Sequence, residues 1–204
     1  MYEINYKNGI SASDLITLQN KILFRGTETG TYPKPLSLWA YDFDTQKAKE
    51  ISTIRPDTGS PYLQGNKVFT NINDKTFFIT QVSSKNELWA TDGTTNGTQK
   101  IYRFEESYQM DMTSDNSRIF ISSNNKVFIS DGTSAGTKLL KQMDGPVLEG
   151  RVFTYNSYFV FAAKNVNYSN ELWMTNGSDE IFQLRDNDND EILYIHNDLD
   201  LNLF

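Results

Sequence analysis

Cysteine is absent from the 204 residues and histidine occurs once. The first absence excludes a disulfide framework, a thiolate nucleophile and any cysteine-ligated metal. The second excludes sites that need two imidazoles, the zinc-protease motifs among them. Apolar runs such as Phe77-Phe78-Ile79 and Tyr158-Phe159-Val160-Phe161-Ala162-Ala163 are far shorter than the roughly 20 residues a bilayer helix needs. Met1-Tyr2-Glu3-Ile4-Asn5-Tyr6 lacks the basic start and apolar core of a signal peptide. Positive charge is also scarce: 19 Lys and Arg against 26 Asp and Glu give a formal charge of −7. So acidic a surface matches neither a nucleic-acid backbone nor an anionic membrane, and neither nucleic acid nor membrane insertion is expected. Apolar residues make up only 38% while aromatics reach 13%, so burial in this folded chain must lean on large rings.

What the chain does contain is repetition. Leu38-Trp39-Ala40-Tyr41-Asp42 recurs as Leu88-Trp89-Ala90-Thr91-Asp92, Val127-Phe128-Ile129-Ser130-Asp131 and Leu172-Trp173-Met174-Thr175-Asn176. The period is about 40 to 50 residues, and Trp39, Trp89 and Trp173 share one slot, which Phe128 fills in the third repeat. Ahead of each anchor come two short apolar strands parted by a polar turn, as in Val68-Phe69-Thr70-Asn71-Ile72, Asn73-Asp74-Lys75 and Phe77-Phe78-Ile79. After each anchor comes a fourth strand, such as Gln99-Lys100-Ile101-Tyr102. Asn/Asp-centred turns between β-branched and aromatic runs are hairpin signals, and helical spacing of apolar residues is missing throughout. The expected fold is all-β: a β-propeller with four recognisable four-stranded antiparallel blades over 14–55, 66–105, 109–143 and 151–185. A fifth, composite or truncated blade would combine 191–204 with 2–6. Truncation is the favoured alternative, which makes the remaining blades of a longer chain an expected partner.

Glu87-Leu88-Trp89-Ala90-Thr91-Asp92-Gly93-Thr94-Thr95-Asn96-Gly97-Thr98 resembles the ELWxxDGT repeat family, tandem repeats of bacterial exported and surface-associated proteins. Ser130-Asp131-Gly132-Thr133-Ser134-Ala135-Gly136-Thr137 keeps the whole turn of that pattern but has Val127-Phe128 in place of Leu-Trp. The fourth repeat keeps Leu172-Trp173 and Asn176-Gly177-Ser178 without a second Gly-Thr; the first keeps Leu38-Trp39 and Asp42 with no glycine. The resemblance implies a propeller-like structure at an extracellular or cell-surface location, and no particular chemistry.

Independently of the family, Asp92-Gly93 and Asp131-Gly132 place a left-handed-tolerant pair at a hairpin tip, with the carboxylate capping the amides that follow. Thr94, Thr98, Thr133 and Thr137 can bond back onto the loop. Trp89 and Trp173 should lie between adjacent sheets, with the indole donating to a carbonyl. Asp186, Asp188 and Asp190 have the one-three-five spacing of a calcium loop, but Glu191 and Asn197 occupy the places of its glycine and its bidentate glutamate. They are a calcium candidate set against a solvated turn. His196 sits in a hairpin turn with no nucleophile elbow anywhere. Glu3, Glu28, Glu105, Glu106 and Asp111 are acids that a glycosidase would have to gather at the channel, and no pair is singled out. Tyr32 and Tyr168, in loops between second and third strands, are the candidate ligand contacts. The expectation is a non-catalytic binding or scaffold module for protein or glycan without a cofactor. A glycan hydrolase and a structural spacer are the alternatives.

Overall fold

Short polar residues interrupt the apolar runs where the backbone has to reverse. Asn73, Ser83, Ser84, Asn124, Asn156 and Ser157 all hold φ between 44° and 66°, the left-handed region that small polar side chains tolerate in tight hairpins. The computed structural model describes residues 10–28, 36–55, 68–105, 109–178 and 180–184, and these contain sixteen strands and no helix. Blade 1 comprises β1 (Ile10–Leu18), β2 (Lys21–Glu28), β3 (Ser37–Asp42) and β4 (Lys47–Ser52). Blade 2 comprises β5 (Phe69–Ile72), β6 (Lys75–Val82), β7 (Lys85–Thr91) and β8 (Gln99–Arg103). Blade 3 is β9 (Met110–Ser114), β10 (Ile119–Ser123), β11 (Lys126–Ser130) and β12 (Lys138–Gln142); blade 4 is β13 (Val147–Tyr155), β14 (Tyr158–Lys164), β15 (Asn170–Thr175) and β16 (Ile181–Gln183).

Every blade is an antiparallel meander in chain order. Its first strand lies beside the first strands of the neighbouring blades: β1, β5, β9 and β13 pack in that sequence. Side chains knit these inner strands together. Asn71 Nδ2 donates to the Thr17 carbonyl at 2.8 Å, Ser114 Oγ donates to the Asn71 carbonyl at 2.8 Å, and the Thr70 and Ser114 hydroxyls are 2.5 Å apart. Sheets set radially on their first strands form a β-propeller. In blades 2 to 4 the second strands are buried on both sides: Thr76 to Thr80, Ile119 to Ser123 and Phe159 to Ala163 are all buried. The fourth strands of blades 2 and 3, at the outer edge, are largely exposed.

Register puts the recurring aromatic slot on one face of each sheet. Phe24 pairs with Trp39, Phe78 with Trp89, Ile121 with Phe128 and Phe161 with Trp173. In blade 4 this face turns toward blade 3, where Phe120 lies 5.6 Å from Phe159 and 5.0 Å from Phe161. Phe120 is adjacent in sequence to Ile121, so alternation places it on the opposite face of blade 3 from Phe128. The slot face of blade 4 therefore packs on the far face of blade 3, and Phe128 in the slot of blade 3 meets Phe104, just after β8 of blade 2, at 5.1 Å. On the far face of blade 4, Phe153, Val160, Met174 and Phe182 align across the four strands, and Phe153 and Phe182 stay exposed.

β1 and β13 start earlier than the repeat boundaries at 14 and 151. In β1 the cause is a bulge: Asp14 adopts φ 52°, its carboxylate lies 2.6 Å from Arg25, and pairing continues back to Ile10 with the alternation shifted. A similar irregularity separates Val147 from Val152 in β13. Segments 2–6 and 191–204, the expected fifth blade, lie outside the described residues.

Two repeat glycines seat against the preceding blade. Gly93 and Gly132 have φ of +82° and +86°, and a Cβ there would come within 2.8 Å of the Lys21 side chain and 2.7 Å of the Phe77 ring. Lys21 can swing its flexible stem aside, whereas the buried Phe77 ring cannot. Gly132→Ala should therefore lower unfolding free energy by about 2–4 kcal/mol, and Gly93→Ala by roughly 1 kcal/mol less, in urea titrations.

Candidate functional site

The Asp-Gly-Thr loops join third to fourth strands, and their hydrogen bonds close inward. Asp92 Oδ1 accepts from the Thr94 amide at 2.9 Å and the Thr94 hydroxyl at 2.7 Å. Thr94 Oγ1 in turn accepts from the Gly97 amide at 3.0 Å, and the Thr98 hydroxyl donates to the Thr94 carbonyl at 2.6 Å. Thr91 Oγ1, 2.8 Å from Thr98 Oγ1, accepts from the Gly93 amide. The loop of blade 3 repeats the scheme with Asp131, Thr133, Gly136, Thr137 and Ser130. The second glycine is required because the carboxylate lies on it: a Cβ at Gly97 or Gly136 would be 2.0 Å from the Asp oxygen. In blade 4, Asn176 Oδ1 caps the Ser178 amide, and the Gly177 amide donates to the Thr175 hydroxyl. Asp42 in blade 1 accepts from the amides of Asp44 and Thr45 and is held 3.0 Å from Lys21. These side chains work on their own loops and offer no open ligand set.

The tryptophans share a register position but not a hydrogen-bond acceptor. Trp39 Nε1 donates to the Gly26 carbonyl at 3.2 Å and to Ser37 Oγ at 2.9 Å. Trp89 instead donates to the Glu87 carboxylate at 3.0 Å, and the indole nitrogen of Trp173 is buried with no hydrogen-bond partner among the described residues. The carbonyl acceptor expected for Trp89 and Trp173 is found for neither; Trp39 is the tryptophan that has one. The reason is local: the residue two places before the tryptophan points along the same face, and there Ser37 and Glu87 present oxygens. In blade 4 the equivalent Glu171 accepts from Asn165 at 2.9 Å, while Lys141 of blade 3 stacks 5.1 Å from the Trp173 ring. Glu87 is almost wholly buried and gathers Lys100 at 3.4 Å and Arg103 at 3.6 Å besides the indole. Its role went unread in the motif, although a glutamate two places before Trp89 and Trp173 was a visible signal.

A meander sends its first-to-second and third-to-fourth turns to the same end of the sheet, so the Asp-Gly-Thr loops share a rim with the inner hairpins. Two hollows open there. One, of about 460 Å³, is polar and lies among Asn71, Ser114, Arg118 and Asn156. Its guanidinium is engaged: Arg118 pairs with Asp115 at 2.5 Å and donates to the Ser157 carbonyl at 2.9 Å, tying blade 3 to blade 4. The other, a cleft of about 560 Å³, runs between the rim of blade 1 and the loop of blade 2. Three lysines and one aspartate line it, Lys21, Lys47, Lys49 and Asp42, over a floor that includes Ala40 and Ile51. Tyr168 belongs to the opposite rim. It is exposed, with φ 62°, in a loop where Asn165 Oδ1 accepts from the amides of Asn167 and Ser169.

Other sequence candidates scatter. Glu105 pairs with Lys85 at 3.0 Å on the surface, and Asp111 is buried in β9. Tyr32, Glu3, Glu106 and His196 lie outside the described residues, as do Asp186, Asp188 and Asp190 of the calcium candidate. Among the described residues no three His, Cys, Asp or Glu side chains gather as a metal group.

No family model and no curated protein matches the chain. Solved structures do. TolB from Acinetobacter baumannii matches with a TM-score of 0.50 at 12% identity, over 81% of this chain and 40% of that one. An acylaminoacyl peptidase in complex with Z-Gly-Gly-Phe-chloromethyl ketone gives 0.57 at 10% identity over 87% and 32%. The acylaminoacyl peptidase of Pyrococcus horikoshii gives 0.55 at 10% identity over 87% and 33%. The chain is a β-propeller. It spans about a third to two fifths of the length of these proteins, and the likeness concerns the fold alone.

The indole–carboxylate contact and the loop caps each generate a stability prediction. Glu87→Leu strands the Trp89 donor and two cations, and should cost about 1–3 kcal/mol by urea denaturation, with Glu87→Gln, which keeps an acceptor, costing less. Asp42 is held down to about 2 by the Thr45 amide and then by Lys21. Asp131 is lowered by the Thr133 hydroxyl and then the Thr133 amide. Folded-state values below the unfolded one mean that the ionised caps stabilise above about pH 4, and that this stability is lost as pH falls toward 2. Melting temperature should drop over that interval, and less steeply in Asp42→Asn, which keeps an acceptor without the charge.

Proposed function

We propose that the propeller is a non-catalytic binding or scaffold module of an exported or cell-surface bacterial protein of the ELWxxDGT-repeat type. The observation that carries this reading is the division of labour on the Asp-Gly-Thr rim. The repeat carboxylates and hydroxyls are spent on holding their own loops, while two hollows open on the same rim, one of about 560 Å³ against the loop of blade 2 and one of about 460 Å³ among the inner hairpins. A rigid frame with open hollows between its blades suits recognition of a protein or glycan surface. The Leu-Trp anchors and the Asp-Gly-Thr-x-x-Gly-Thr turns of Asp92 and Asp131 support the family resemblance, and with it the extracellular placement.

The test uses the whole chain against a glycan array and against immobilised surface extracts. Expected is saturable binding to a defined component, unchanged by Glu105→Gln and Asp111→Asn together. Turnover of a bound glycan that this double substitution abolishes would replace the reading with a hydrolase. Absence of any saturable ligand would leave a spacer.

A further inference from the structure

Resting on the reading of a binding module, we propose that the cleft between blades 1 and 2 binds the carboxylate of an acidic saccharide. A chain of charge −7 places three lysines around one hollow there. Lys21 is already held by Asp42 at 3.0 Å and by Asn20 at 3.2 Å. Lys47 and Lys49 make no ion pair with any described residue. They are two residues apart on β4 and so project from the same sheet face, opposite Asp42 and Ala40. Two ammonium groups carried on β4 positions whose Cα atoms are about 7 Å apart, over a partly enclosed wall, focus positive potential on the space beside them.

Packing does not require these cations. Counted from the aspartate of the anchor, Lys47 holds the position of Gly97 and Gly136, the glycines that lie against Asp92 and Asp131. Lys49, opposite Ala40, holds the position that Gln99 occupies opposite Ala90 and Phe182 opposite Met174. The remaining wall selects a sugar over an acidic peptide. Ala40 and Ile51 are buried in its floor, and the methylene stems of the lysines above them offer a small apolar surface suited to the C–H face of a pyranose. Facing them are Thr94 and the hydroxyl of Thr95, for which the described structure shows no hydrogen bond. Apolar floor, hydroxyl flank and paired ammonium groups complement a uronic acid: ring face, ring hydroxyls and carboxylate.

Calorimetry with the whole chain reads this directly, using trigalacturonate, a neutral galactose trisaccharide and triglutamate as probes. Trigalacturonate should bind at least ~10-fold more tightly than either of the others, and more weakly in 0.5 M than in 0.05 M NaCl. Lys47→Gln with Lys49→Gln should weaken it at least ~10-fold with melting temperature unchanged, and the double arginine variant should retain it within about threefold. No heat with trigalacturonate, equal affinity for the neutral sugar or for triglutamate, or indifference to the double glutamine variant would each overturn the assignment. A double glutamine variant that still captures ligands on the glycan array, with trigalacturonate binding unchanged or absent, removes the cleft and leaves the binding module standing.

Discussion

A four-stranded sheet whose middle strands are apolar on both faces cannot exist alone in water; each face has to be covered by another sheet. Every other feature of this molecule follows from that covering. The slot face of one blade, carrying Trp or Phe, is laid on the far face of the blade before it, as the Phe120–Phe159 and Phe120–Phe161 contacts show. Large rings supply the contact area that a chain with only 38% apolar residues could not obtain from aliphatics. The same requirement explains why one unit recurs: a blade is stable only as a member of a series.

Covering sets distance, and distance sets the loop. A hairpin between third and fourth strands must approach the preceding blade closely enough to seal the interface at the rim. Side chains are in the way, so Gly93, Gly132 and Gly177 stand there with φ near +80°, facing Lys21, Phe77 and Arg118 of the blades before. A loop with such a backbone needs its own support, and Asp92 and Asp131 provide it by gathering the following threonine and lying on the second glycine. Asp, both glycines and both threonines thus form one device, in which the first glycine faces the neighbouring blade and the rest hold the first glycine in place.

The parts of this design that depend on local spacing could be read before any coordinates. Recurrence of Trp39, Trp89 and Trp173 located the third strands, Asn- and Asp-centred turns located the hairpins, and Asp92-Gly93 carried its cap in its own sequence. What depends on approach between blades could not. Nothing in one dimension says that the Gly132 backbone meets the Phe77 ring, that Arg118 reaches across to the Ser157 carbonyl, or that Lys141 covers Trp173. The bulge at Asp14 was hidden too, because Ile10-Ser11-Ala12-Ser13 has no alternation strong enough to announce a strand. Glu87 is intermediate: its position before the tryptophan was in view, but its burial among an indole and two cations needed the fold.

Variation among the repeats then acquires a physical meaning. Blades 2 and 3 keep the full loop, and its first glycine comes up against Lys21 and Phe77 of the blade before. Blade 1 departs from it, with Phe43 in place of the first glycine and Lys47 in place of the second, and Asp42 turns to Lys21 and the Thr45 amide instead of pressing on a glycine. Once the second glycine position is released from the carboxylate, a long side chain can leave the loop there and enter the space beside it. Lys47 does so, next to Lys49, in the cleft that the intact loop of blade 2 walls on its other side. Relaxation of the motif in one repeat and its strict retention in the next are together what make a charged hollow between two blades that are otherwise built alike.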